Sequence, residues 1–229
     1  MPLTFLRPGD DFPDTSLAQK DGLLAFGGAV SVESLLQAYP RGIFPWYNED
    51  QPILWWAPQE RCVLFPELMY CSKNLRRIIR QGRFEIRMDT EFDRVVQACA
   101  HIGRNRESGT WINYELKKSL SELHEMGYAH SIEAWQENEL VGGLYGVSMG
   151  GMFFGESMFA KASDASKVCL YHLSQWMIKH EMDLIDCQIP NDHLMSLGAQ
   201  ILPEGEFYEI LKESVQKSTL KGPWVFDSK

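Results

Sequence analysis

The sequence predicts an α+β protein: a small N-terminal domain over residues 1–65, then a larger domain of sheet and helices over 66–229. Three observations lead there. Pro8, Pro13, Pro40, Pro45, Pro52 and Pro58 punctuate the first part into short elements. Past Pro66, stretches with a two-residue apolar period alternate with stretches whose apolar residues recur every three or four positions. Apolar residues at 45% and charged residues at 23% of 229 positions suffice for a substantial core.

Taken in order, Gly22-Leu23-Leu24-Ala25-Phe26-Gly27-Gly28 reads as a strand into a turn, and Ser31 caps a helix through Tyr39. Arg41–Tyr47 and Pro52–Pro58 carry Trp46, Trp55 and Trp56. Tryptophan serves cores, but three tied to prolines also suit a flat stacking wall. Residues 72–81 predict a helix, 84–88 a strand and 91–101 a second helix. Gly109–Asn113 opens a third helix with a Leu116, Leu120 and Leu123 stripe and a stop at Gly127. Strands follow at 129–136 and 139–147, joined by a Glu137-Asn138 turn, and at 152–158. Asp164 or Ser163 then caps a long helix over 165–180, with Val168, Tyr171 and Leu173 on the side of Trp176 and Met177. Strand 184–189, short helix 192–197 and strand 200–202 complete the order.

Composition excludes several classes. No run of about 18 apolar residues exists to span a membrane. Met1–Asp10 lacks a basic stretch followed by an apolar one, so a cytoplasmic protein is expected. Cys62, Cys71, Cys99, Cys169 and Cys187 form no CxxC pair and the histidines no HxxxH, which argues against a disulfide framework and a metal site. Cys187 as a nucleophile is weaker than Cys187 as a buried thiol. Nothing suggests a coiled coil, so a monomer is expected. A net charge of −9 opposes non-specific nucleic-acid binding. Yet Lys73, Arg76, Arg77, Arg80, Arg83 and Arg87 stand against Glu85 alone between 73 and 87. The first four fall on one helix face; a solvated face and a local phosphate-binding patch both fit.

Two places carry chemistry. Glu156 interrupts the apolar run Met152–Phe159, either as an edge carboxylate facing water or as a cation-recognising group at the lip of an apolar pocket. Gly155 beside it suggests a bulge or a close backbone approach. In the strand at 184–189, alternation puts Asp186 and Gln188 on one face, with Pro190-Asn191 adding polar groups at the strand's end. Two polar side chains in a central strand need each other or a ligand.

The order of elements resembles an N-acetyltransferase-like (GNAT-like) mixed sheet with helices on both faces. From Gly22 to about Ala199 the chain resembles the leucyl/phenylalanyl-tRNA–protein transferase family. The resemblance is carried by Tyr39-Pro40-Arg41-Gly42-Ile43-Phe44-Pro45-Trp46, Ile53-Leu54-Trp55-Trp56, Gly109-Thr110-Trp111-Ile112, His130-Ser131-Ile132-Glu133, Gly142–Val147, Gly155-Glu156-Ser157-Met158-Phe159, Ala165-Ser166-Lys167, Asp186-Cys187-Gln188 and Ser196-Leu197-Gly198-Ala199. Ala29 stands where an acidic residue is usual in that family, and Ala160 where Ser is usual. The resemblance implies transfer of Leu or Phe, and Met less well, from its tRNA to the N-terminal Arg or Lys of an acceptor protein, which marks the acceptor for degradation. It implies no cofactor. Asp186 and Gln188 are then expected at the reaction, with Asp186 holding Gln188. Glu156 is expected on the acceptor or the terminal ribose. Trp46 and Trp111 are expected on the 3′-terminal adenosine, and Leu144, Phe153, Met158 and Leu170 around the aminoacyl side chain. Asn191 is expected at the strand end beside them, and Lys73, Arg76, Arg77, Arg80 and Arg83 on tRNA phosphates. An acyl-CoA-dependent N-acyltransferase or a non-catalytic module for tRNA or peptide is the alternative; the first lacks a Gly-rich pyrophosphate turn between Gly155 and Ala165.

Overall fold

The structure, a computed structural model, describes residues 3–48, 50–104 and 112–226. Trp111 therefore lies outside the described residues.

The N-terminal part forms a four-stranded sheet of β1 (Thr4–Leu6), β2 (Leu23–Gly27), β3 (Phe44–Pro45) and β4 (Leu54–Trp56), in the order β1-β2-β4-β3. The first helix, α1 (Val32–Ala38), starts where the sequence expects it: the Ser31 hydroxyl accepts from the Ser34 amide and Ser34 returns a bond to the Ser31 amide. The three tryptophans do not form one wall. Trp55 is core, edge-on to Phe12 and donating to the Gly27 carbonyl at 3.0 Å. Trp46 is exposed, with Trp56 tilted against it at 5.8 Å.

A seven-stranded mixed sheet makes up the rest. Its strands are β5 (Glu60–Leu64), β6 (Glu85–Met88), β7 (Ala129–Gln136), β8 (Glu139–Met149), β9 (Met152–Ala160), β10 (Leu184–Gln188) and β11 (Gln200–Pro203). The order is β11-β5-β10-β9-β8-β7-β6. Only β9 and β10 run parallel, because the helix between them, α5 (Ala165–Lys179), carries the chain back across the sheet. Strand β5, which precedes residue 65, pairs inside this sheet between β10 and β11. Glu137 and Asn138 both adopt left-handed backbone, the geometry of a tight hairpin turn between β7 and β8.

Helices cover both faces. On one, α5 buries Val168, Leu170, Leu173, Trp176 and Met177 against Ile132, Leu144 and Phe153. On the other, α3 (Phe92–Arg104) and α4 (Tyr114–Glu125) bury Val95, Val96, Leu116 and Leu120 with Tyr145, Val147 and Phe154. Each of these side chains contributes roughly 1.5–3 kcal/mol, so the sheet is fixed from both sides. Asn113 caps α4, accepting from the Leu116 amide at 2.9 Å. Helix α5 begins differently from expectation. Asp164 sits left-handed at its N-terminus without capping it, and its carboxylate pairs with Lys167 at 2.8 Å instead. The short α6 (Asp192–Ser196) and a helix absent from the sequence expectation, α7 (Glu204–Ser214), end the fold. Among the described residues no helix is long and apolar enough to cross a membrane.

Candidate active site

The site lies where β9 and β10 part. Their pairing runs Leu184 with Met152, Ile185 with Phe153 and Asp186 with Phe154, and stops there. Immediately beyond, each strand carries one residue too many for its other neighbour. Opposite β8, Tyr145 pairs with Ser157 and Gly146 with Gly155, so Glu156 bulges out. Opposite β5, Asp186 pairs with Val63 and Gln188 with Cys62, so Cys187 bulges out. The bulge that Gly155 suggested therefore centres on Glu156. Glycine is required one strand over, at Gly146, where a Cβ would stand 2.2 Å from the Phe154 carbonyl oxygen.

These two bulges reset which way side chains point. Alternation alone would send Phe153 and Met158, five residues apart, to opposite faces; across the Glu156 bulge they share one. Together with Leu144, Leu170 and Ile185 they line a cavity of about 260 Å³. The Cys187 bulge has the opposite effect on the expected pair. Asp186 and Gln188 do not share a face, because their partners Val63 and Cys62 are adjacent on β5. Gln188 turns to the cavity, with its Nε2 buried and without a hydrogen-bond partner, while Asp186 turns into the core. A second cavity of about 290 Å³ adjoins the first, sharing Glu156, Cys187, Gln188 and Asn191 with it, and adds Phe44, Trp46 and Pro190.

Asp186 is fully buried and takes a two-pronged contact from Arg61, Nε to Oδ1 at 2.8 Å and Nη2 to Oδ2 at 2.7 Å. Its Oδ1 also accepts the Gln188 backbone N–H at 2.9 Å. Asp186 thus holds Gln188 by the main chain, not through the carboxamide. Gln188 needs holding: its φ of +56° is left-handed, which costs a non-glycine residue about 1–2 kcal/mol. Glu156 faces both cavities and accepts from the Tyr39 hydroxyl at 2.9 Å. Burial pushes its carboxyl up to about 7, against the Tyr39 hydrogen bond, which favours the charged form. Burial, then the Glu156 charge, raises the Tyr39 phenol well above its ordinary value, so it stays a donor. Cys187 is a poor nucleophile, since its contact with the Cys62 thiol and its burial both raise it.

The basic helix forms as α2 (Lys73–Arg80), capped by Ser72. Leu75 and Ile78 are buried while Lys73, Arg76, Arg77 and Arg80 face solvent. Lys73, Arg76 and Arg80 line a depression with Tyr171, which follows cavity-lining Leu170 on α5. Arg77 bonds Asn74 instead, and Arg83 lies past the helix over the Phe84 ring. Arg61, and the part Tyr39 plays at the site, escaped the sequence reading. Each sits in the first part of the chain, 125 and 117 positions from its partner, and no local pattern marks either.

A mixed sheet whose two parallel strands part over an apolar cavity, with anchored polar groups at the mouth, has the architecture of an acyl-transferring enzyme. The chain belongs to the leucyl/phenylalanyl-tRNA protein transferase family. The family model matches residues 63–212, and the model of the family's N-terminal domain matches 28–59. A leucyl/phenylalanyl-tRNA–protein transferase of Syntrophus aciditrophicus (strain SB) is 50% identical over 98% of this chain and 94% of its own. Proteins of the same name from Desulfatibacillum aliphaticivorans and Anaeromyxobacter sp. (strain Fw109-5) are each 49% identical, over 100% and 95% of this chain and 98% and 92% of theirs.

Proposed function

We propose that the protein moves Leu or Phe, and Met less well, from aminoacyl-tRNA to the N-terminal Arg or Lys of an acceptor protein, marking it for degradation. The observation that carries this reading is the apolar cavity of Leu144, Phe153, Met158 and Leu170 opening beside Gln188 and Glu156. Flexible and aromatic walls of this kind accept Leu, Met and Phe and disfavour side chains branched at Cβ.

The aminoacyl ester arrives activated. The acceptor's α-amine attacks its carbonyl, a C–N bond forms, the C–O bond to the ribose breaks, and the freed ribose hydroxyl leaves with a proton. An α-amine of pKa about 8 costs only roughly 1–2 kcal/mol to deprotonate near pH 7, so orientation of amine and ester supplies most of the rate. Gln188 accepts a hydrogen bond from the attacking amine. Asp186, committed to Arg61 and the Gln188 amide, fixes that acceptor rather than taking the proton. Glu156 holds the acceptor's cationic side chain or the terminal ribose. Trp46, exposed at the second cavity, stacks on the 3′-terminal adenosine together with Trp111, each stack being worth roughly 1–3 kcal/mol. Asn191 lies where both cavities meet and orients the polar end of the substrate. Lys73, Arg76, Arg77, Arg80 and Arg83 meet acceptor-stem phosphates without reading sequence. The N-terminal sheet of β1–β4, with α1, brings Trp46 and Tyr39 to the larger sheet, which the chain enters at β5 before the boundary expected at residue 65, and the enzyme works as a cytoplasmic monomer without a cofactor.

Mixing labelled phenylalanyl-tRNA with a protein bearing N-terminal Arg tests the reading. Label in a new peptide bond on that Arg, absent when the α-amine is acetylated, is expected. An unlabelled acceptor rejects transfer, and equal use of isoleucyl-tRNA rejects the cavity's role.

A further inference from the structure

We propose that Arg61 is a positioning residue for the transfer: it fixes the Asp186 carboxylate, which in turn holds Gln188 in the turn that aims its carboxamide at the cavity. Arg61 is 1% exposed and lies on β5, next to the strand that carries both residues. Two aromatic rings lie against its guanidinium. The Phe44 ring lies 4.7 Å from Cζ and the Phe207 ring 4.8 Å from it. The fork meets both Asp186 oxygens, and its rigid planar geometry constrains the angle of the carboxylate. Oδ1 then receives both Arg61 Nε and the Gln188 N–H. That amide follows the bulged Cys187, where the ladder to β9 has ended, and with Cys62 of β5 still opposite Gln188, the Asp186 oxygen takes its N–H and braces the left-handed turn.

Stability alone does not explain the arrangement. Arg61 Nη1 is buried with no hydrogen-bond partner, and a buried ion pair contributes little net stability compared with an apolar pair of similar volume. What the pair supplies is geometry at Gln188. The inference rests on the reading that Gln188 meets the attacking amine.

The test is a cycle of Arg61→Lys, Gln188→Ala and the two combined, assayed for kcat and KM with phenylalanyl-tRNA and an acceptor bearing N-terminal Arg. Lysine keeps the charge and loses the fork. Arg61→Lys is expected to lower kcat by about 10- to 100-fold while KM for the aminoacyl-tRNA stays within about twofold, the size of effect a small misplacement produces. The combined variant is expected to be no slower than Gln188→Ala. Multiplied losses in the combined variant overturn the Arg61 proposal and leave the Gln188 reading standing. Near-normal turnover by Gln188→Ala removes that reading and this proposal with it, and near-normal kcat in Arg61→Lys overturns the proposal alone. A fourth variant, Arg61→Met with Asp186→Leu, covers a failure of Arg61→Lys to fold. It is expected to melt at or above the parent temperature and to lose turnover. Retained turnover, or failure of this apolar pair to fold, overturns the proposal.

Discussion

Replacing Tyr39 with Phe removes one hydroxyl from a site that otherwise keeps its packing, and so isolates what holds Glu156 charged. The Tyr39 ring is buried, tilted against Phe154 at 5.2 Å, and Phe fills the same space. Glu156 stands at about 7 because burial outweighs the hydrogen bond from Tyr39. A hydrogen bond to a charged group is worth about 1.5–3 kcal/mol, and one pKa unit corresponds to about 1.4 kcal/mol. Part of the bond survives to the neutral acid, so an upward move of about one unit is the conservative expectation. Near pH 7.5 the ionised fraction of Glu156 then falls from about three-quarters to about one-quarter. If the carboxylate binds the acceptor's cationic residue, kcat/KM for that acceptor falls about threefold near pH 7.5 and recovers by about pH 9. The assay is a pH series of acceptor-saturation curves at fixed aminoacyl-tRNA. An unchanged profile, or a loss that persists at pH 9, would refute the link between Tyr39, the Glu156 charge and the acceptor.

Three further outcomes are expected. The folded Glu156 carboxyl at about 7, above its ordinary 4.5, binds its proton more tightly than in the unfolded chain. The group therefore erodes stability as pH rises from about 4.5 to 7, and Glu156→Gln raises stability above pH 7 by up to about 3 kcal/mol, seen as a higher melting temperature, with little effect below pH 4.5. Melts at both ends of the range check it. Replacing Arg76 and Arg80 by Ala weakens tRNA binding without regard to sequence and lowers the slope of log affinity against log salt by roughly two, in binding titrations at several salt concentrations. Gly146→Ala forces a Cβ to 2.2 Å from a backbone oxygen and 2.7 Å from the Phe153 ring. It should cost about 3 kcal/mol or more, a fall of roughly 6–12 °C by calorimetry.

Local rules made much of the fold readable. Ser31, Ser72 and Asn113 cap the helices that the stripes around them imply, and the 137–138 turn sits where two alternating runs meet. Asp164 shows the limit of such rules, since a nearby Lys167 outcompetes the helix end for its carboxylate. Helix α7 carries a helical Phe207, Ile210 and Leu211 spacing, but Pro203 and Gly205 at its start read as loop. At the site, the chemistry-bearing residue types were legible and their facing was not. Parity counts along a strand are right until one residue drops out of the ladder, and Glu156 and Cys187 each do so. Arg61, Tyr39, Phe44 and Phe207 reach Asp186, Glu156 or each other only through the folded chain, so no window of sequence contains them together.

Striking out Cys187 alone would leave Gln188 opposite Cys62 and restore an unbroken antiparallel pairing. The result would be a tidier sheet, the Gln188 carboxamide still turned to the hollow but on plain extended backbone, without the left-handed turn that Asp186 braces. In this protein the working surface is a fault in the weave, and mending the cloth would iron out the fold that presents it.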